Sequence, residues 1–176
     1  MRTQYDQADV RRAVETLAHT TQGLTATVGK IDVAPNAANV VPGEAVVSLD
    51  VRHSNDAARA AAVEALLADA NRIAARRGLG LECVRQMDQP AVPMDERMTA
   101  FLAEAIEAAG FPVKRMSSGA GHDAMVMAAR VPTAMLFLRS PGGISHHPAE
   151  AVLEEDVEAA LEVGRKFLER LAAEVG

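Results

Sequence analysis

Tryptophan is absent from this 176-residue chain, and aromatic residues make up only 3% of it. A core of stacked rings is therefore excluded. Ala, Val, Leu and Met must do the packing, which favours helices laid on a sheet. The one cysteine, Cys83, excludes an intramolecular disulfide and suits a reducing compartment. No apolar run approaches the roughly 20 residues of a membrane span. The opening "RTQYDQADVRR" lacks the apolar stretch of a secretory signal. No basic cluster interleaved with aromatics occurs, and net charge is −6, so nucleic acid is not an expected partner. What remains is a globular, cytoplasmic composition, 49% hydrophobic and 24% charged, long enough for one ordinary domain or two small ones.

Periodicity divides the chain. Val10, Ala13, Val14 and Leu17 recur at helical spacing within 6–22, and Gly23 stands where a helix stops. Residues 24–34 are β-branched, and "PNAANVVPG" reads as a loop. Residues 45–53 alternate, with Ala45, Val47, Leu49 and Val51 on one face and Val46, Ser48, Asp50 and Arg52 on the other. A helix follows, capped by Ser54 or Asp56, striped by Val63, Leu66, Leu67, Ala70 and Ile73, and ended by Gly78. "LGLECVRQM" reads as a strand. Residues 1–92 are thus α-β-β-α-β, a split βαβ (ferredoxin-like) sandwich lacking its first strand. After two prolines, a helix runs from Asp95 to Gly110. "PVKRMSS" reads as a short strand, "GAGHDAMVMAAR" as a turn opening a helix, and "VPTAMLFLR" as a strand covered on both faces. The last helix starts near Val152 and should bury Val157, Ala160, Leu161, Gly164, Leu168, Leu171 and Val175. Residues 93–176 therefore read as part of a layered α/β domain.

Three places carry chemistry, each beside a plainer alternative. "GAGHDA" fits G-x-G-x-x-A, but the stretch before it is not a buried apolar strand. "PGG" also stands where a ribose-binding acid should be, so a dinucleotide site is rejected. Gly119 and Gly121 then form a tight turn whose His122 either caps a helix or meets an oxyanion. His146 and His147 lie in the loop after the apolar run. One imidazole there could hold a metal, with Glu150 orienting it, or both could be solvated. Arg52 offers a guanidinium fork and Asn39 an amide, a pair suited to a carboxylate, although a turn residue and a surface charge fit the pattern too.

Taken in order, residues 27–53, "MSSGAGHDAMVMA" (116–128) and "GGISHHPAE" (142–150) resemble the dinuclear-metal amidohydrolases that include allantoate amidohydrolase, N-carbamoyl-L-amino-acid hydrolase and β-ureidopropionase, within the wider zinc aminopeptidase and acylase superfamily. The resemblance implies a lid or dimerisation domain over residues 1–92. It implies the C-terminal part of a metallopeptidase-like α/β catalytic domain over 93–176. His146 matches a metal ligand, Asn39 and Arg52 match the grip on the substrate carboxylate, and His122 with Gly119 and Gly121 matches the pocket lining; His147 carries no role. The implied reaction is hydrolysis of a ureido or amide C–N bond, with two zinc or manganese ions activating a bridging water.

The same resemblance implies what is missing. Its other ligands and its catalytic glutamate belong to a preceding half that has no counterpart here, so the cage in this chain is expected to be incomplete and the chain inactive alone. A homodimer through the lid domain, or association with a missing N-terminal half, is the expected partner arrangement, with a small-molecule carboxylate as ligand. The alternative is a non-catalytic module that keeps the carboxylate grip without chemistry.

Overall fold

The computed structural model describes residues 6–175, with side chains from 9 to 174. The chain divides into two compact units, Met1–Ala91 and Val92–Gly176.

The first unit contains α1 (Asp6–Thr20), β1 (Thr25–Thr27), β2 (Ile31–Ala34), β3 (Glu44–Val47), β4 (Asp50–Arg52) and α2 (Asp56–Arg77). The four short strands form one interrupted antiparallel hairpin. Ile31 to Ala34 pair with Val47 to Glu44, and Thr25 to Thr27 pair with Arg52 to Asp50. From Thr27 to Ile31 is four steps, whereas Asp50 to Val47 is three, so one extra residue bulges at 28–30. Ser48 closes the bulge: its Oγ accepts the Lys30 amide at 2.9 Å, and its own amide reaches Lys30 O at 3.0 Å. The extra residue switches strand parity, which lets Ala26, Ile31 and Val33 share the half-buried face of Val47 and Val51. Helices α1 and α2 pack together, with Val14, Leu66 and Ile73 buried.

Local signals explain most helix ends. Asn55, not Ser54 or Asp56, caps α2 by accepting the Ala58 amide. Asp56 instead sits in the first turn and accepts the Ala91 amide at 3.1 Å. Gly78 is left-handed at φ 66°, as a helix-ending glycine should be. The buried stripe of α2 is Ala62, Leu66, Ile73 and Ala74, shifted from the expected set but sharing Leu66 and Ile73.

The second unit contains α3 (Glu96–Ala108), α4 (Asp123–Ala128), a 3-10 turn (Pro141–Gly143) and α5 (Glu154–Val175). Asp95 caps α3 by accepting the Met98 amide at 2.8 Å. Phe101, only 5% exposed, fills the α3–α5 contact. The Arg170 guanidinium lies 4.0 Å from its ring centroid. Arg170 in turn binds Glu104 at 2.8 Å.

Three expected strands are not strands among the described residues. Residues 79–87, 112–118 and 131–139 carry no ladder. In a split βαβ sandwich the last strand pairs with the first; among the described residues no strand pairs with 79–87. The apolar run at 131–139 fails for a related reason. Leu136, Phe137 and Leu138 are 37%, 45% and 38% exposed, so neither face is covered. The α5 stripe is corrected as well. Among the described residues of α5 Val163 is the buried position, while Leu161 and Leu168 face outward at 70% and 63% exposure. Helix α5 therefore meets α3 along a face rotated from the expected one. The Val175 side chain lies outside the described residues.

Candidate functional site

The Arg52 fork is already engaged. Asp50 lies two residues earlier on the same strand face, which the alternation places beside it. Arg52 Nε donates to Asp50 Oδ1 at 2.7 Å and Nη2 donates to Oδ2 at 2.8 Å, a bidentate pairing. These hydrogen bonds hold the Asp50 carboxyl below its ordinary range and raise the guanidinium. Asp50 is thus a partner of the candidate grip, one that the i, i+2 spacing on a strand signals.

Asn39 lies elsewhere on the hairpin. It sits in the exposed turn closed by the Val40 amide on Ala37 O, beyond the Ala34–Glu44 pair. Arg52 pairs with Thr25 near the opposite end. Eight residues of strand separate Glu44 from Arg52, a contour of roughly 26 Å. The five residues from Pro35 to Asn39 reach at most about 17 Å when extended, and the turn shortens that. Asn39 thus stands on the turn of the hairpin and Arg52 near its other end.

In the second unit, Gly119 and Gly121 do not adopt left-handed φ, and a Cβ on Gly119 would meet nothing within 4 Å. The bend at 119–121 is therefore made without a left-handed glycine. The loop is shaped instead by Ser118, whose Oγ donates to Ala120 O at 2.8 Å. His122 is the cap of α4, its Nδ1 accepting the Ala124 amide at 3.0 Å.

The second loop is closed at its base by Arg139. Its Nε donates to both Asp156 carboxylate oxygens at 3.0 Å, tying the end of the apolar run to the first turn of α5. Gly142 and Gly143 turn left-handed at φ 71° and 66°, and His146 does so at 56°, a conformation a non-glycine residue holds only when neighbours enforce it. Glu150 does the enforcing. Its Oε2 accepts the His146 backbone amide at 2.9 Å, so it grips the main chain and does not orient the imidazole. His147 also has work: its Nδ1 accepts the Ala149 amide at 3.1 Å.

The four histidines outside α1 are sorted by their lone pairs. A neutral imidazole has one lone-pair nitrogen and one N–H. His122 and His147 spend the lone pair on a backbone amide. His53 spends both nitrogens, accepting from Asn55 at 2.8 Å and donating to Gln22 O at 3.1 Å. Only the His146 ring makes no hydrogen bond or ion pair among the described residues.

The model of peptidase family M20/M25/M40 matches residues 6–170. The chain belongs to that family. Among M20 relatives, the allantoate amidohydrolase of Escherichia coli (strain K12) is 37% identical over 149 residues, covering 85% of this chain and 36% of that protein. The N-carbamoyl-L-amino-acid amidohydrolase of Rhizobium meliloti is 34% identical over 160 residues, covering 89% and 38%. Among solved structures, an amidase of the hydantoinase/carbamoylase family from Burkholderia multivorans superposes with TM-score 0.86 at 34% identity, over 94% of this chain and 41% of that one. The chain thus spans less than half the length of the M20 proteins it matches. No helix among the described residues is long and apolar enough to cross a membrane.

A dinuclear centre needs several protein ligands around two ions roughly 3.5–4 Å apart. Among the described residues no group of three or more His, Cys, Asp or Glu side chains could hold a metal ion. The donors among the described residues do not fit a complete two-metal cage.

Proposed function

We propose that these residues form the lid and the C-terminal catalytic segment of an M20 amidohydrolase. Its substrates are N-carbamoyl amino acids, ureido acids or allantoate, and it cleaves their C–N bonds in the cytoplasm. The match to the family model over residues 6–170 carries this reading. In it, His146 contributes one metal ligand, and the ring free of other bonds supports that assignment. Asn39 and Arg52 grip the substrate carboxylate. His122, Gly119 and Gly121 line the pocket. A homodimer through the lid is the assembly that goes with this reading. The zinc or manganese ions of the reading need ligands beyond those described, so the 176 residues are inactive alone.

The test is ammonia release from N-carbamoyl-L-alanine and from allantoate by the purified chain with added zinc or manganese. The expected result is no turnover above buffer. Metal-dependent hydrolysis that survives His146→Ala contradicts the reading.

A further inference from the structure

We propose that Asp50 is the positioning residue of the carboxylate grip, holding the Arg52 guanidinium in one fixed plane for the ligand. This rests on the reading above that Arg52 binds the substrate carboxylate. Two bonds carry the inference: Arg52 Nε donates to Asp50 Oδ1 at 2.7 Å, and Nη2 donates to Oδ2 at 2.8 Å. One such contact lets a guanidinium pivot about it, whereas two parallel contacts fix its plane. The register isolates the pair. Across the ladder Arg52 faces Thr25 and Asp50 faces Thr27, so β1 brings no charge to that face. Hydrogen bonds from Arg52 hold the Asp50 carboxyl below its ordinary range, so it stays ionised wherever an ordinary substrate carboxylate does.

Folding stability does not account for the pairing. The Arg52 and Asp50 side chains are 47% and 51% exposed, and an ion pair in that setting adds little to stability. Its effect is on the side chain itself. An unclasped arginine samples many rotamers and gives them up when it grips a ligand. One already clasped has given them up on folding. The clasp also opposes binding, because the Asp50 charge repels an incoming carboxylate. The two effects differ in their response to salt. Repulsion between exposed charges fades as salt rises, with a screening length of about 3 Å at 1 M, whereas the fixed plane persists.

Chemical-shift titration of the 15N-labelled 176-residue chain with N-carbamoyl-L-alanine, at low and at high salt, tests the assignment. Wild-type amides of β1 and β4 should respond to the probe at both, and those of Arg52→Ala at neither. Asp50→Asn keeps the side-chain shape but removes the charge and one acceptor. Its melting temperature should stay near that of the wild type. The ratio of its affinity to wild type should fall as salt rises, to roughly one fifth near 1 M. An Asp50→Asn affinity equal to or above wild type at high salt overturns the inference; Asp50 is then a competitor for the fork, and the grip reading stands. A wild type that ignores saturating probe, or Arg52→Ala responding as wild type does, overturns the grip reading, and the positioning role with it.

Discussion

Phe101→Ala should come close to unfolding the second unit. The ring is 5% exposed between α3 and α5 and is covered on one face by Arg170 at 4.0 Å. Truncating a buried Phe costs about 3–5 kcal/mol through lost transfer energy and the cavity left behind. The guanidinium contact adds about 0.5–1 kcal/mol. A unit of about 85 residues has a total stability of roughly 4–13 kcal/mol. This one sits toward the lower end, because Phe137, Leu161 and Leu168 remain exposed. The loss is thus a large share of what holds α5 in place, and α5 anchors the His146 loop through Asp156. Urea unfolding followed by circular dichroism measures it, with the midpoint falling at unchanged slope. Phe101→Leu should cost less than half as much, and Arg170→Ala about 1 kcal/mol or less. A Phe101→Ala loss below about 1 kcal/mol would refute the claim that this contact is the unit's core.

Asp95→Ala should destabilise the second unit by about 1 kcal/mol through loss of the α3 cap, with Asp95→Asn nearly neutral; thermal melts compare them. Gly23→Ala should cost about 1–2 kcal/mol, because φ is +78° and the new Cβ would stand 3.4 Å from His53 Nε2, whereas Gly80→Ala, with open space around it, should be near neutral. The Glu162 carboxyl, held by hydrogen bonds from Arg165, is lowered to about 2 in the folded chain. A depressed folded-state value gives a contribution present above the unfolded value near 4.5 and lost as pH falls toward 2, so Glu162→Gln should be less stable than the wild type near neutrality, flatten the acid-unfolding curve across that window and converge with the wild type toward pH 2. Asp50→Asn should replace the bidentate charged pairing of Arg52 with at most one neutral acceptor, read as a shifted Arg52 Nε–H resonance.

Much of the helical framework was legible because its signals are local. Gly78 and Asp95 act within one turn of chain, and both stand where the pattern put them. The alternation of 45–53 correctly placed Asp50 beside Arg52. The bulge at 28–30 was not legible, since it is a one-residue mismatch between two strands and exists only in their pairing. The strand expectations at 79–87 and 131–139 failed because strandness is conferred by a neighbour, and composition cannot say whether a neighbour is present. The Glu150 contact was half legible: the spacing to His146 was right, but side-chain patterning cannot tell an imidazole from the backbone amide beneath it. His147 was passed over for the same reason, its role being a bond to main chain two residues on.

The division of labour among the histidines is the centre of this account, and zinc titration of the purified chain by calorimetry tests it most directly. One weak site is predicted, abolished by His146→Ala and retained in His147→Ala and His122→Asn. Tight binding of two zinc ions per chain, indifferent to His146→Ala, would contradict it.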